Sequence, residues 1–381
     1  MDYPYIIYII LILFFCLRSY KTNNAGSNFN SCVIITFLFI GLRACVVGAD
    51  TYLYTLTFLG TRNDYIMDEI EPLYKIYNFI LSSIYKNEVF FLLCNTFFSL
   101  FPLYLLINKF SDFKELSIAL FFLLGINLSY FVALRQILAL AILFLGIYYV
   151  IENKKRKWLI YTICLVAAYF MHHSTILNSI LFSALYFIRI DNRRIILSSI
   201  IVTAIMGVVM QQFNIMDIFN AYLNLNTGLT DQRLDKFISS DEQLRSLQSG
   251  FLSTIYNLIP SIVAVYTFSF LNKDRLNHWF SKIYLLSVIA SNIFFRVDMF
   301  GRINLGFQVF SIIVITWAFS SNELHNILLK KIFFTLIMVI LLRNYFFENM
   351  YYDIFSSSRM HPYYFFFEDY SDHPALKYFI Y

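Results

Sequence analysis

Charge is the scarcest property of this sequence. Asp, Glu, Lys and Arg make up 14% of its 381 residues, while hydrophobic residues reach 59%. A soluble domain carries about 25% charged residues. A chain this poor in charge cannot clothe a water-facing surface, which excludes an ordinary soluble fold. Cysteine is also sparse. Cys16, Cys32, Cys45, Cys94 and Cys164 all fall in apolar runs without metal or redox spacing, so they read as small buried hydrophobes. No Gly-rich phosphate loop is present, so neither a nucleotide nor any other cofactor is expected. Asp64, Asp68 and Glu69 lack the spacing of a DxD-type metal pair, and metal independence is the expectation. There is no internal repeat and no low-complexity run. The start of the chain lacks a basic n-region and a small-residue cleavage site, so 3–17 reads as a retained helix rather than a signal peptide. Tryptophan is nearly missing, which leaves tyrosine as the interface aromatic.

What the chain does have is apolar runs of roughly 17–25 residues, long enough to cross a bilayer core. Backbone amides in lipid must bond within their own segment, so such runs are helices. The expectation is an all-α, polytopic integral membrane protein, 1–381 forming one membrane domain of about twelve transmembrane helices. The spans fall near 3–17, 31–47, 88–107, 115–131, 134–151, 158–171, 174–190, 195–210, 251–271, 279–295, 303–320 and 332–342. Three long segments lie between or after them: 48–87, 211–250 and 343–381. The first contains EPLYKIYNFILSSIY, which reads as an amphipathic helix lying on the surface.

Basic residues set the orientation, because short cytoplasmic loops collect Lys and Arg. The run Lys154-Lys155-Arg156-Lys157 turns the chain between two apolar helices. With that run inside and the helices alternating, the inner turns also hold Arg18, Lys21, Lys109, Lys114, Arg189, Arg193, Arg194, Lys273, Arg275, Lys282, Lys330 and Lys331. The three long segments then face outward as extracytoplasmic loops. They hold fifteen of the 24 acids but nine of the 29 bases, so the two faces differ in sign. Both termini fall outside.

The residues hardest to place in a membrane gather on that outer face. Arg43 lies near the end of the second span and Asp50 just past it. Arg135 opens the fifth span, His172 and His173 close the sixth, and Arg296, Asp298 and Arg302 form the turn after the tenth. Each has a plain explanation. A lone Arg can snorkel to headgroups, a His at a helix end is commonly a satisfied interfacial residue, Arg296 and Arg302 can pair with Asp298, and Tyr52 and Tyr54 suit an interface. Four arginines at one level are harder to dismiss together. Charges at membrane helices usually mark function, and the planar fork of Arg suits phosphate oxygens. Such a ring fits a lipid-linked phosphate or pyrophosphate.

The segment Arg43-x4-Gly48-Ala49-Asp50-Thr51-Tyr52 resembles the early R…G-x-D-x-Y signature of the EpsG family. Leu134-Arg135-Gln136, a basic turn, and Phe170-Met171-His172-His173-Ser174 resemble its central R-Q…H-x-S region. Arg296 and Arg302 fall where that family has a late arginine pair. The resemblance runs roughly from 31 to 310, and both His172 and His173 stay open as the family His. EpsG proteins are related to the Wzy polymerases of bacterial surface polysaccharides, including O-antigen and capsule.

The resemblance implies a multi-pass protein of the bacterial inner (cytoplasmic) membrane that polymerises lipid-linked repeat units on its outer face. A growing glycan would pass from undecaprenyl pyrophosphate to a sugar hydroxyl of a new lipid-linked unit. The partners implied are the undecaprenyl-pyrophosphate-linked oligosaccharide, the lipid bilayer and a chain-length regulator; nucleic acid is not among them. Pyrophosphate contacts then fall to Arg43, Arg135, Arg296 and Arg302. Deprotonation of the hydroxyl falls to Asp50 or His172, with Arg135 beside them. Sugar contacts fall to Tyr52, Asp231 and Arg233. The rival readings are a flippase or transporter of lipid-linked sugars, an O-antigen-ligase-like transferase, and a membrane acyltransferase. A transporter should carry midplane charges and broken helices in two matching halves; here the charges cluster at one face.

Overall fold

The computed structural model describes residues 3–21, 26–48, 50–61, 70–152, 155–190, 192–210, 251–293, 298–320, 335, 363–369 and 371. Among these the regular structure is helical, apart from an isolated antiparallel bridge between Arg43 and Phe365. The chain divides into two compact units. The first is Met1–Ala184 with Lys331–Tyr381, and the second is Leu185–Lys330.

The first unit contains α1 (Tyr3–Lys21), α2 (Phe29–Gly41), α3 (Thr51–Leu59), α4 (Pro72–Ile84), α5 (Glu88–Phe110), α6 (Lys114–Leu123), α7 (Ile126–Val132), α8 (Leu134–Ile151) and α9 (Lys157–Met171), and α10 (Thr175–Phe187) begins in it. By length and composition, α5 and α8 can each cross a membrane, and α6 with α7 would make a third span, bent by 66°. The helices α2, α9 and α10 are shorter but apolar.

Helix α5 shows why these boundaries form. The Asn87 side chain accepts the N–H groups of Val89 and Phe90 at 2.9 and 3.2 Å, capping donors that would otherwise be orphaned. Glu88 in its first turn and Lys109 in its last complement the helix dipole. Helix α8 packs against α5 and α9 and buries Ile137, Leu140, Phe144 and Ile147. In lipid, such packing is stabilised by van der Waals contact rather than by escape from water.

The 18 residues of α8 span about 27 Å, close to the thickness of a bilayer core of about 30 Å. Arg135 lies at one end. At the other, Glu152 pairs with Lys109 at 3.0 Å. A second anchor holds the α1–α2 turn to α6. The fully buried carboxylate of Glu115 accepts Ser19 Oγ and the amides of Gly26 and Asn28, each at 2.9 Å.

Two expected helices end differently. The span expected at 31–47 stops at Gly41, so Arg43 lies in an irregular turn rather than in a helix. The turn that follows closes at Gly48, whose φ is +107° and where a Cβ would sit 2.2 Å from the Phe131 carbonyl oxygen. Thr51 Oγ1 donates to that same carbonyl at 2.5 Å. The span expected at 115–131 is two helices, because Gly125 adopts φ +70° and turns the chain between α6 and α7.

The second unit contains α11 (Arg193–Met210), α12 (Phe251–Phe270), α13 (Lys273–Leu276), α14 (Trp279–Ile293), α15 (Asp298–Gln308) and α16 (Ser311–Phe319). Asn292 of α14 joins α11 and α12: its Oδ1 accepts Ser261 Oγ at 2.6 Å and its Nδ2 donates to Thr203 Oγ1 at 3.1 Å. Arg193 donates to the Leu271 carbonyl just past the end of α12, at 2.6 Å. The span expected at 303–320 is divided between α15 and α16. The Phe310 and Ile313 amides bond three residues back, to Phe307 and Phe310, which tightens the chain there. The span expected at 332–342 lies outside the described residues.

Candidate active site

The site is assembled at the Arg135 end of α8 by the starts of α3 and α4 and the end of α9. Helix α3 starts after Asp50, and one turn on the Tyr54 amide bonds back to the Asp50 carbonyl at 3.1 Å. Helix α4 starts after Glu71, which has the extended backbone of a cap, with Pro72 in the first turn. Helix α4 is amphipathic. Tyr74, Asn78 and Leu81 face inward, while Ile76, Phe79, Ile80 and Ile84 are exposed. Helix α9 ends at Met171, and His172 follows in extended conformation. The His172 carbonyl is held by the Thr175 hydroxyl at 2.7 Å and the Thr175 amide at 3.1 Å, so the backbone behind the imidazole is anchored.

Glu71 is the centre of the site. Its side chain does not cap its own helix; it reaches sideways. One carboxylate oxygen accepts Arg135 Nη1 at 2.6 Å, and the other meets His172 Nδ1 at 2.7 Å and the His173 amide at 3.4 Å. Glu71 is 5% exposed. Burial alone would disfavour its charge, yet the hydrogen bond to His172 and the neighbouring Arg135 guanidinium outweigh it and hold the carboxyl at about 2. Glu71 is therefore an anion throughout the neutral range.

Arg135 is bracketed. Its Nε donates to the Tyr54 hydroxyl at 2.9 Å and its guanidinium lies 5.2 Å from the Tyr54 ring centroid. Tyr54 meets Tyr74 edge-on at 5.9 Å. Among the described residues, Arg135 Nη2 and His172 Nε2 make no hydrogen bond. The arrangement thus offers a fixed cation and an imidazole side by side, which suits stabilising a departing phosphate while a hydroxyl is deprotonated.

Of the residues singled out in the sequence, Arg135 and His172 come together here, with Asp50 half-buried at the head of α3 and Tyr52 half-buried two residues on. His173 is exposed and turns its ring to Tyr169, 4.7 Å between centroids. Arg43 behaves differently from the expectation of a phosphate ligand. It is 1% exposed, and its donors go to the carbonyls of Ile40 (2.5 Å), Val47 (3.3 Å) and Tyr130 (3.4 Å). Its guanidinium lies over the Phe131 ring. A guanidinium committed inward to three carbonyls holds the turn together and has little left to offer a ligand. Arg302 lies on α15 in the second unit, its side chain outside the described residues, as are Arg296, Asp231 and Arg233 entirely.

Glu71 was not singled out from sequence. It sits in an acid-rich stretch where nothing marks it over Asp68 or Glu69. Its one local signal is the Glu-Pro step opening an amphipathic run, which marks a helix start.

Residues 28–365 match the family model described as EpsG family. No curated protein and no solved structure matches the chain.

Proposed function

The chain belongs to the EpsG family, and from that premise we propose that it is a glycosyltransferase of the polysaccharide-polymerase kind. It acts at the outer face of the bacterial cytoplasmic membrane, which it crosses about twelve times. Its substrates are undecaprenyl-pyrophosphate-linked oligosaccharides. A hydroxyl of the incoming lipid-linked unit attacks the anomeric carbon of the growing glycan. The bond from that carbon to the pyrophosphate oxygen breaks, the polyprenyl pyrophosphate departs with its electron pair, and the hydroxyl proton passes to a base.

The observation that carries this reading is the meeting of Arg135 and His172 on opposite oxygens of one carboxylate. Between them lie the whole of α8, the basic turn and α9, so the pair is a product of the hairpin and not of sequence proximity. In this reading Arg135 faces the leaving pyrophosphate and His172 takes the proton. Asp50 and Tyr52 line the acceptor side at the start of α3. Arg43 serves as the buried post of the Gly48 turn.

The test is a gel of surface polysaccharide. A strain lacking the protein should show single repeat units in place of a ladder, and Arg135→Ala and His172→Ala should each reproduce that pattern with protein still in the membrane. A strain lacking the protein that keeps its long chains would overturn the polymerase reading. Loss of all surface glycan would point instead to a flippase.

A further inference from the structure

We propose that Glu71 is the positioning residue of the site: it fixes the tautomer of His172 so that Nε2, not Nδ1, presents the lone pair to the acceptor hydroxyl. The argument begins with donor and acceptor counts. An ionised carboxylate only accepts hydrogen bonds. Glu71 is such a group, 5% exposed, with one oxygen 2.6 Å from Arg135 Nη1 and the other 2.7 Å from His172 Nδ1. Arg135 is all donor, so it satisfies the first oxygen. The second oxygen then requires a proton on Nδ1, and a neutral imidazole with that proton carries its lone pair on Nε2. The His172 backbone is pinned by Thr175, so the ring has little freedom to trade one nitrogen for the other.

The same carboxylate sets the height of Arg135. Tyr54 holds Nε from α3 and Glu71 holds Nη1 from the start of α4. Helices α3 and α4 thereby place the cation and the base against each other, although neither helix supplies either group. Acting through other residues, Glu71 needs no contact with substrate. The charged and titratable groups around it are Arg135 from α8, His172 after α9, Tyr54 and Asp50 at α3, and Tyr74 on its own helix.

The proposal rests on the polymerase reading only for the identity of the hydroxyl, and the experiment separates the two. The diagnostic variant is Glu71→Gln. The carbonyl oxygen is the only acceptor that this side chain keeps, and Arg135 Nη1 claims it, so the amide N–H₂ faces Nδ1. A donor there demands a lone pair on Nδ1 and drives the proton to Nε2. Full-length protein with ¹⁵N-labelled histidine, in lipid nanodiscs at mildly alkaline pH, reports the tautomer by its ring-nitrogen shifts, with the His172 signal identified by its loss in His172→Ala. Wild type should show the Nδ1-protonated form and Glu71→Gln the Nε2-protonated form. Glu71→Asp, which keeps the carboxylate, should retain the wild-type tautomer and controls for misfolding. In cells, Glu71→Gln should cut chains longer than one repeat unit by on the order of 10²-fold, with Glu71→Asp partly restoring them. An Nδ1-protonated His172 in Glu71→Gln overturns the proposal, as does a full ladder from a variant whose tautomer has switched. Long chains in a strain lacking the protein would instead overturn the polymerase reading and leave the tautomer result standing.

Discussion

Arg43 and Arg135 show how differently one residue type behaves within the same unit. Each guanidinium has five donors in a rigid fork. Arg43 directs them at carbonyls from the end of α2, the Gly48 turn and α7, all left without helical partners by the breaks there. Arg135 directs its donors at a carboxylate and a phenol, and its side chain remains 22% exposed. Removing Arg43 should therefore act on stability. Arg43→Met keeps the bulk but abandons three buried acceptors, at about 1–3 kcal/mol each. Arg43→Lys should rescue little, since a single ammonium cannot span all three. Thermal unfolding of purified protein checks this: Arg43→Met should melt well below wild type, with Arg43→Lys close to Arg43→Met. A wild-type melting temperature for Arg43→Met would return that residue to the list of phosphate ligands.

At the scale of elements, the tail segment 363–369 bears on the site although it comes last in the chain. The Ala44 amide donates to the Tyr364 carbonyl at 2.8 Å and the Phe366 amide to the Leu42 carbonyl at 3.0 Å. The Tyr363 hydroxyl donates to the Phe39 carbonyl, and its ring stacks on Phe39 at 4.7 Å. The tail therefore supplies partners to the backbone groups of Leu42 and Ala44, on either side of Arg43. Ending the chain after His361 should free the Ala44 amide. Its hydrogen exchange should speed by at least about tenfold, with the amides inside α8 unchanged. Equal protection with and without the tail would show that the turn holds itself.

The helices themselves were largely legible. The apolar run at 134–151 is α8 at the same bounds, and the run at 158–171 is α9 with one residue added. The breaks were not, because they depend on partners. The backbone contact that closes the turn after α2 comes from Phe131, 80 residues beyond Thr51. The bend at Gly125 hid inside an apolar run, where a lone glycine is tolerated as readily as it breaks a helix.

For the whole molecule, the decisive quantity is which ends of the helices face which compartment. Arg135, Glu71 and His172 meet at one end of α8, and the Lys109–Glu152 pair lies past the other end, about one bilayer core away. The clustering of Lys and Arg near the second end predicts a cytoplasmic side for it. A reporter fused after Asn153 should accordingly read cytoplasmic and one fused after Gln211 external. The reverse pattern would place Arg135 and His172 on the side where a surface-glycan polymerase has no substrate.

The amino-acid sequence by itself determined that the chain is built of apolar helices, where most of them run, and that cations and a histidine fall at one set of helix ends. Those properties are local: hydrophobic run length, the sign of each loop and the reach of a short motif. Tertiary structure alone decided that Glu71 joins Arg135 to His172, that His173 turns away, and that Arg43 faces inward. The two Glu71 contacts and the bond from Arg43 to the Tyr130 carbonyl join donor to acceptor across 64 to 101 residues of chain, and a buried charge is settled by such partners as well as by its neighbours in sequence.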